Sequence, residues 1–272
     1  MQRVRGVGRL AVEWRDGENR LADLFQEGAA KIRFPHAQAG APFEAVLIAT
    51  SGGLTGGDRM DWTVDIGQGA SATLTTQASE KTYRANAGTA EVSVRLSAGK
   101  GASLSWLPQE TILFDRSAMA RSIDADLALG ARLLLAESFV FGRTEMGEAV
   151  RSIRLRDRWR VRVAGALVHG EDFRVDGDAS AILEQGATGG GRTAFATLLL
   201  IGEDGEALLE PLRRLFAAPA EVSAGASFWR VGQTGKLLAR LAAKDGYCLR
   251  KALQPALALL NGRAGLPKIW AI

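Results

Sequence analysis

Asp61 to Thr76 reads DWTVDIGQGASATLTT. Trp62, Val64 and Ile66 alternate with polar residues, Gly69-Ala70 interrupts, and a second run follows. The same sentence is written twice more. Val92 to Pro108 reads VSVRLSAGKGASLSWLP, with Val92, Val94 and Leu96 before Gly101-Ala102. Ser122 to Ser138 reads SIDADLALGARLLLAES, with Ile123, Ala125 and Leu127 before Gly130-Ala131. Successive turn glycines lie 32 and 29 residues apart. Period-two alternation marks strands buried on one face. The glycine supplies a backbone geometry that side chains resist. A unit of this length, holding two strands and repeated in tandem, predicts stacked coils of sheet, each covering the last. An antiparallel β-sandwich with similar hairpins is the alternative.

Outward from the repeat, further strands are expected at Arg158 to Val163, Gly165 to His169, Phe173 to Val175, Ala181 to Leu183 and Thr193 to Ile201. The Gly186 to Arg192 run, GATGGGR, lacks a phosphate-loop lysine and reads as a flexible turn. After Gly202 the spacing turns helical. Leu208, Leu209, Leu212, Leu215 and Phe216 give one helix, with Pro211 near its start or kinking it. Leu237, Leu238 and Leu241 predict a second helix begun near Thr234. Leu253 to Leu260 predict a third, with Pro255 in its first turn. The end, GLPKIWAI, is expected to be extended and to dock on its own domain or on a partner. No linker divides the chain. The expectation is one mainly β, solenoid-like domain over 1–272, with a β-rich body to 202, a small helical part at 203–262 and a docking tail at 263–272.

Hydrophobic residues make up 47% of the 272, enough for a full core. The net charge of +4 sets 34 basic against 30 acidic residues, too balanced to imply nucleic acid. From Arg154 to Arg162 an arginine falls on every second residue, which in a strand lines one face. The other face carries Leu155, Trp159, Val161 and Val163, interrupted by Asp157. The arginine face reads as solvated sheet or as a dock for an acidic partner. Cys248 is the single cysteine, so no internal disulfide forms. No signal-like start or long apolar run is present, so a soluble cytoplasmic protein without a membrane partner is expected. His36 and His169 are the only histidines, too few for a histidine-rich zinc or nickel site.

Polar residues collect in four places. SGGLTGGDRMD, Ser51 to Asp61, presents Asp58 and Arg59 after paired glycines. TTQASEKTYR, Thr75 to Arg84, carries Lys81, Tyr83 and Arg84. In SLSWLPQETILFD, Ser103 to Asp115, Pro108 breaks a strand just before Gln109 and Glu110, which reads either as a solvated kink or as a functional break. FGRTEMGE, Phe141 to Glu148, sets Arg143 between Glu137 and Glu148. Glu110 with Asp115, or Asp58 with Glu137, are formal carboxylate pairs for a glycosidase, but nothing in the sequence sets either at catalytic distance. The chain is expected not to be an enzyme. A β-repeat module binding an acidic protein or a polysaccharide is the rival reading.

These blocks together resemble the urease accessory protein UreD (UreH) family. The resemblance rests on Gly52-Gly53 with Gly56-Gly57-Asp58-Arg59, Thr75-Thr76 with Lys81 and Tyr83-Arg84, and Trp106 to Ile112 with Phe114-Asp115. Gly142-Arg143 with Met146-Gly147-Glu148, and Pro267-Lys268-Ile269-Trp270, complete it. It implies a β-rich superhelix with a small helical part and a non-enzymatic role in maturing a nickel enzyme. It also implies a place in a hetero-oligomer with UreF, with the GTPase UreG through UreF, and with apo-urease. Nickel would pass through an internal water-filled passage, in transit and not as a tightly bound cofactor. Oxygen ligands suit a cation that must be released. Asp58, Glu110, Asp115, Glu137 and Glu148 are the candidate passage carboxylates. Arg59, Lys81, Tyr83, Arg84, Gln109 and Arg143 are their candidate supports, and Ile269 and Trp270 a candidate contact with UreF.

Overall fold

The computed structural model describes residues 3–35, 42–142, 149–217 and 221–271. Its strands, in chain order, are β1 (Arg5–Arg15), β2 (Glu18–Gly28), β3 (Ala30–Arg33), β4 (Phe43–Ala49), β5 (Arg59–Ile66), β6 (Ser71–Thr76), β7 (Glu80–Thr82), β8 (Ala90–Ala98) and β9 (Ser103–Trp106). There follow β10 (Thr111–Leu113), β11 (Ser117–Leu127), β12 (Arg132–Phe141), β13 (Ile153–Val163), β14 (Ala166–Gly177), β15 (Ala194–Ile201), β16 (Val222–Val231) and β17 (Thr234–Ala243). Three helices join them: α1 (Ala179–Glu184), α2 (Gly205–Phe216) and α3 (Gly246–Leu260).

The repeat becomes the architecture. In each coil the first strand enters a seven-stranded sheet ordered β14-β13-β11-β8-β5-β1-β2, and the second enters a ten-stranded sheet. β5, β8, β11 and β13 run parallel, as do β6, β9 and β12. Gly69, Gly101 and Gly130 make the turns at φ +70°, +67° and +78°, where an L side chain is strained. Ser103 N donates to Ala70 O at 2.9 Å and Arg132 N to Ala102 O at 2.8 Å, so each turn hangs from the one before. The alternating residues fill the space between the sheets. Trp62, Val94, Ile123 and Trp159 share one level, and Val64, Leu96, Ala125 and Val161 the next.

The ten-stranded sheet has a second covered face. α2 and α3 pack there, over β15, β16 and β17. This corrects the expected helix at Leu237, Leu238 and Leu241, which is strand β17. Leu237 and Leu241 point toward the helices and Leu238 toward the other sheet, so a strand covered on both faces reads as continuous apolar sequence. The segment 203–262 therefore holds a hairpin between its helices. α3 begins at Gly246, where the Asp245 carboxylate accepts from Cys248 N at 2.8 Å, and Pro255 lies well inside it. Ala181 to Leu183 is not a strand but belongs to α1, capped by Asp178 accepting from Ala181 N at 3.0 Å. The two segments expected at Gly165–His169 and Phe173–Val175 are one strand, β14. The tail is not extended: 3-10 turns occupy Gly262–Ala264 and Lys268–Ala271.

Candidate functional site

One level along the seven-stranded sheet is not apolar throughout. Met60, Val92, Arg121 and Asp157 stand side by side across β5, β8, β11 and β13. The last two project charge into the interior between the sheets, where Glu137 of β12 meets them. Arg121, Glu137 and Asp157 are 6%, 3% and 1% exposed. Arg121 donates from Nε to Asp157 Oδ1 at 2.9 Å, and its Nη1 pairs with Glu137 Oε2. Two indoles complete the shell: Trp106 Nε1 donates to Glu137 Oε1 at 2.9 Å, and Trp159 Nε1 to Asp157 Oδ2 at 2.8 Å. The guanidinium also lies 4.8 Å from the Phe139 ring centroid.

Burial opposes charge on Arg121 and Glu137, and their pairing works against it. For Arg121 burial pulls the pKa down, but Asp157 and Glu137 outweigh it and the net movement is upward. For Glu137 burial pushes the pKa up, Arg121 opposes it, and Asp157 adds to the rise. Glu80, on β7, is pushed up to about 7, chiefly by burial, with the Lys81 amide and Arg121 pulling the other way. Glu137, Asp157 and Glu171 together line a cavity of about 20 Å3, room for one water. Beyond it, Glu171 pairs with Arg240, and Lys236 Nζ donates to Val168 O at 2.8 Å. His169 is buried close by, with Nε2 lacking a hydrogen-bond partner. Burial lowers its pKa to about 4, helped by Lys236, Arg240 and Arg160. No three His, Cys, Asp or Glu residues among those described are disposed to hold a metal ion.

Of the carboxylates expected from sequence, only Glu137 belongs to this interior cluster. Asp58 is buried but staples a turn, accepting from Val4 N at 2.9 Å and Thr55 N at 2.8 Å. Asp115 accepts from Arg151 N and Ser152 N at 2.8 and 2.9 Å, tying the start of β11 to the approach to β13. Glu110 accepts from Ser79 Oγ at 2.8 Å and meets Arg250 Nη1 at 3.4 Å. Arg143 and Glu148 fall outside the described residues. Arg59 is exposed and pairs with Asp61 at 2.9 Å. Lys81 is exposed. Tyr83 stacks on Phe114 at 5.1 Å, and Arg84 lends its carbonyl to Thr55 Oγ1 at 2.7 Å. The arginine face of β13 is largely spent on neighbours, Arg158 on Asp124 and Arg156 on Asp172.

The break at Pro108 is not a solvated kink. Trp106, Leu107, Pro108 and Gln109 are all buried. Gln109 Oε1 accepts from Arg250 Nη1 at 3.0 Å, and its Nε2 donates to Thr76 O at 3.3 Å. Trp270 closes the same corner at 1% exposure. Its Nε1 donates to Thr75 Oγ1 and to Leu107 O, each at 3.1 Å, and Arg250 lies over its ring. The expectation that Trp270 meets a partner is corrected, because the ring lies in the chain's own core; Ile269 packs partly buried against the same cluster. The quoted blocks are thus a wired assembly of coil crossover, helix and tail.

The sequence reading missed Arg121, Glu80, Glu171 and His169 as site residues. Asp157 it met only as an interruption. A signal existed: both Arg121 and Asp157 occupy inward positions of otherwise apolar alternation.

Stacked β-coils with a helical annex and a buried ionic seam define the class as a two-walled, mainly β solenoid. The family model described as UreD urease accessory protein matches residues 4–271, and the chain belongs to that family. It is 51% identical over 272 residues to Urease accessory protein UreD 1 of Brucella abortus biovar 1 (strain 9-941), covering 100% of this chain and 95% of the relative. It is 53% identical over 271 residues to Urease accessory protein UreD of Mesorhizobium japonicum, with the same coverage.

Proposed function

We propose that this chain is a non-catalytic maturation factor for urease. It joins UreF, and through UreF the GTPase UreG, on apo-urease in the cytoplasm, and carries nickel in transit and not as a resident cofactor. The observation that carries the reading is the match of the UreD urease accessory protein family model to residues 4–271. Glu137, Asp157 and Glu171 line one water-sized cavity but are not disposed to hold a metal ion together, which suits passing contact and not storage. Buried carboxylates that neither staple turns nor sit on the surface are costly to keep. Oxygen ligands hold a divalent cation and let it go, as transfer requires. Glu80 lies within electrostatic reach of Arg121, and Ser79, its chain neighbour, donates to Glu110. Asp58 and Asp115 support the coils in this scheme and stay outside the passage.

The assembly is tested by co-expression with UreF and UreG, followed by size exclusion. Co-elution is expected. A monomer that ignores both partners would overturn the scaffold role and favour the rival binding module.

A further inference from the structure

The parallel register places Ser71 of β6, Ser103 of β9 and Arg132 of β12 on one level, on the face of the ten-stranded sheet turned away from the seam. Adjacent strands stand about 4.8 Å apart, so the three side chains form a row. One level along, Thr73 and Ser105 are buried beneath Asn261. Ser105 Oγ donates to Asn261 Oδ1 at 2.6 Å, and Asn261 Nδ2 reaches Gly265 O at 2.6 Å. That latch holds the 3-10 turn Gly262–Ala264 over the sheet and brings Arg263 to the rim. The result is a cavity of about 290 Å3.

Its polar groups divide into spent and unspent. Arg132 is fixed by Asp204 at 3.0 and 2.9 Å and by Leu260 O at 2.5 Å, which also offsets the negative end of α3. The hydroxyls of Ser71 and Ser103 and the guanidinium of Arg263 make no hydrogen bond among the described residues. Two arginines and one carboxylate line the cavity, and Arg132 already holds that carboxylate. The charge balance therefore disfavours a cation, and every unspent group can donate, the Arg263 guanidinium as a donor only and each serine hydroxyl through its O–H.

We infer that this pocket binds a small oxyanion of phosphate size, held by Ser71, Ser103 and Arg263. The wall is preorganised by Asn261, so the ligand needs to order little besides Arg263. The inference is independent of nickel transfer and of UreF binding.

The test is calorimetric titration of inorganic phosphate into the full chain at constant ionic strength, with chloride as the control anion. One saturable site is expected. Arg263→Ala and Ser103→Ala should each weaken it about tenfold, the size of one charge-assisted hydrogen bond. Arg263 is exposed, so Arg263→Ala leaves the fold intact, which circular dichroism checks. Absence of a saturable site, or equal affinity in the wild type and both variants, would overturn the inference.

Discussion

Arg121 is the residue on which the interior depends. It neutralises two carboxylates that burial would otherwise expel or protonate. Arg121→Met keeps much of the volume and removes the charge. The variant should lose about 3–5 kcal/mol of stability, the usual cost of breaking a buried pair. Urea denaturation reads this directly, and an unchanged midpoint would mean that the seam is open to water. Two other residues give the molecule opposing pH responses. Glu80, raised to about 7, keeps a proton that the unfolded chain loses at its ordinary value of 4.5. Its contribution is whole below pH 4.5 and is lost as pH rises through about 7. His169, lowered to about 4 from 6.5, contributes fully above pH 6.5 and loses that contribution as pH falls through about 4. The two slopes partly cancel in the wild type. Glu137, also raised by burial, adds to the Glu80 slope, so denaturation midpoints from pH 4 to 8 should rise more with pH in Glu80→Gln than in the wild type and fall more with pH in His169→Asn. These residues were hard to read in sequence, because a lone charge in an apolar alternation names no partner. Only the stacking register puts Arg121 beside Asp157 and opposite Glu137.

At the scale of elements, the coil is set by its turn. Gly101 takes φ +67°, and a Cβ built there meets nothing within 4 Å. Gly101→Ala therefore tests backbone conformation without a clash. A loss of about 1–2 kcal/mol in urea is expected, and Gly101→Asn should recover part of it because asparagine tolerates the left-handed region. No loss on alanine substitution would mean that the turns do not set the register. The strands of the repeat were legible because one face is core and the other is solvent, which writes period two into the sequence. β17 was not legible, because helices cover one of its faces and a sheet the other, so its apolar run carries no period. α1 was missed for a different reason. It is six residues long, and its one clear signal is the Asp178 cap. The tail was half legible: Trp270 had to be buried somewhere, but its acceptors, Thr75 and Leu107, lie far away in sequence.

At the scale of the molecule, the repeat makes two walls and the crossovers between coils close one side. An interior of this kind can be lined with charge only where alternation breaks, at Arg121, Asp157, Glu137 and Glu171. A packed β-solenoid gains nothing from such a seam, since apolar residues of similar volume often serve stability as well. Under the proposed function the seam takes part in nickel transfer. Glu137→Gln tests that assignment most directly. It keeps the shape and the acceptor for Trp106 and removes one negative charge from the cavity wall. The measurement is the nickel content of urease matured in cells that carry the variant, taken beside the amount of accessory complex recovered. The account predicts an intact complex and urease whose nickel content falls several-fold. Full nickel loading with an intact complex would contradict it and leave the buried seam a structural feature alone.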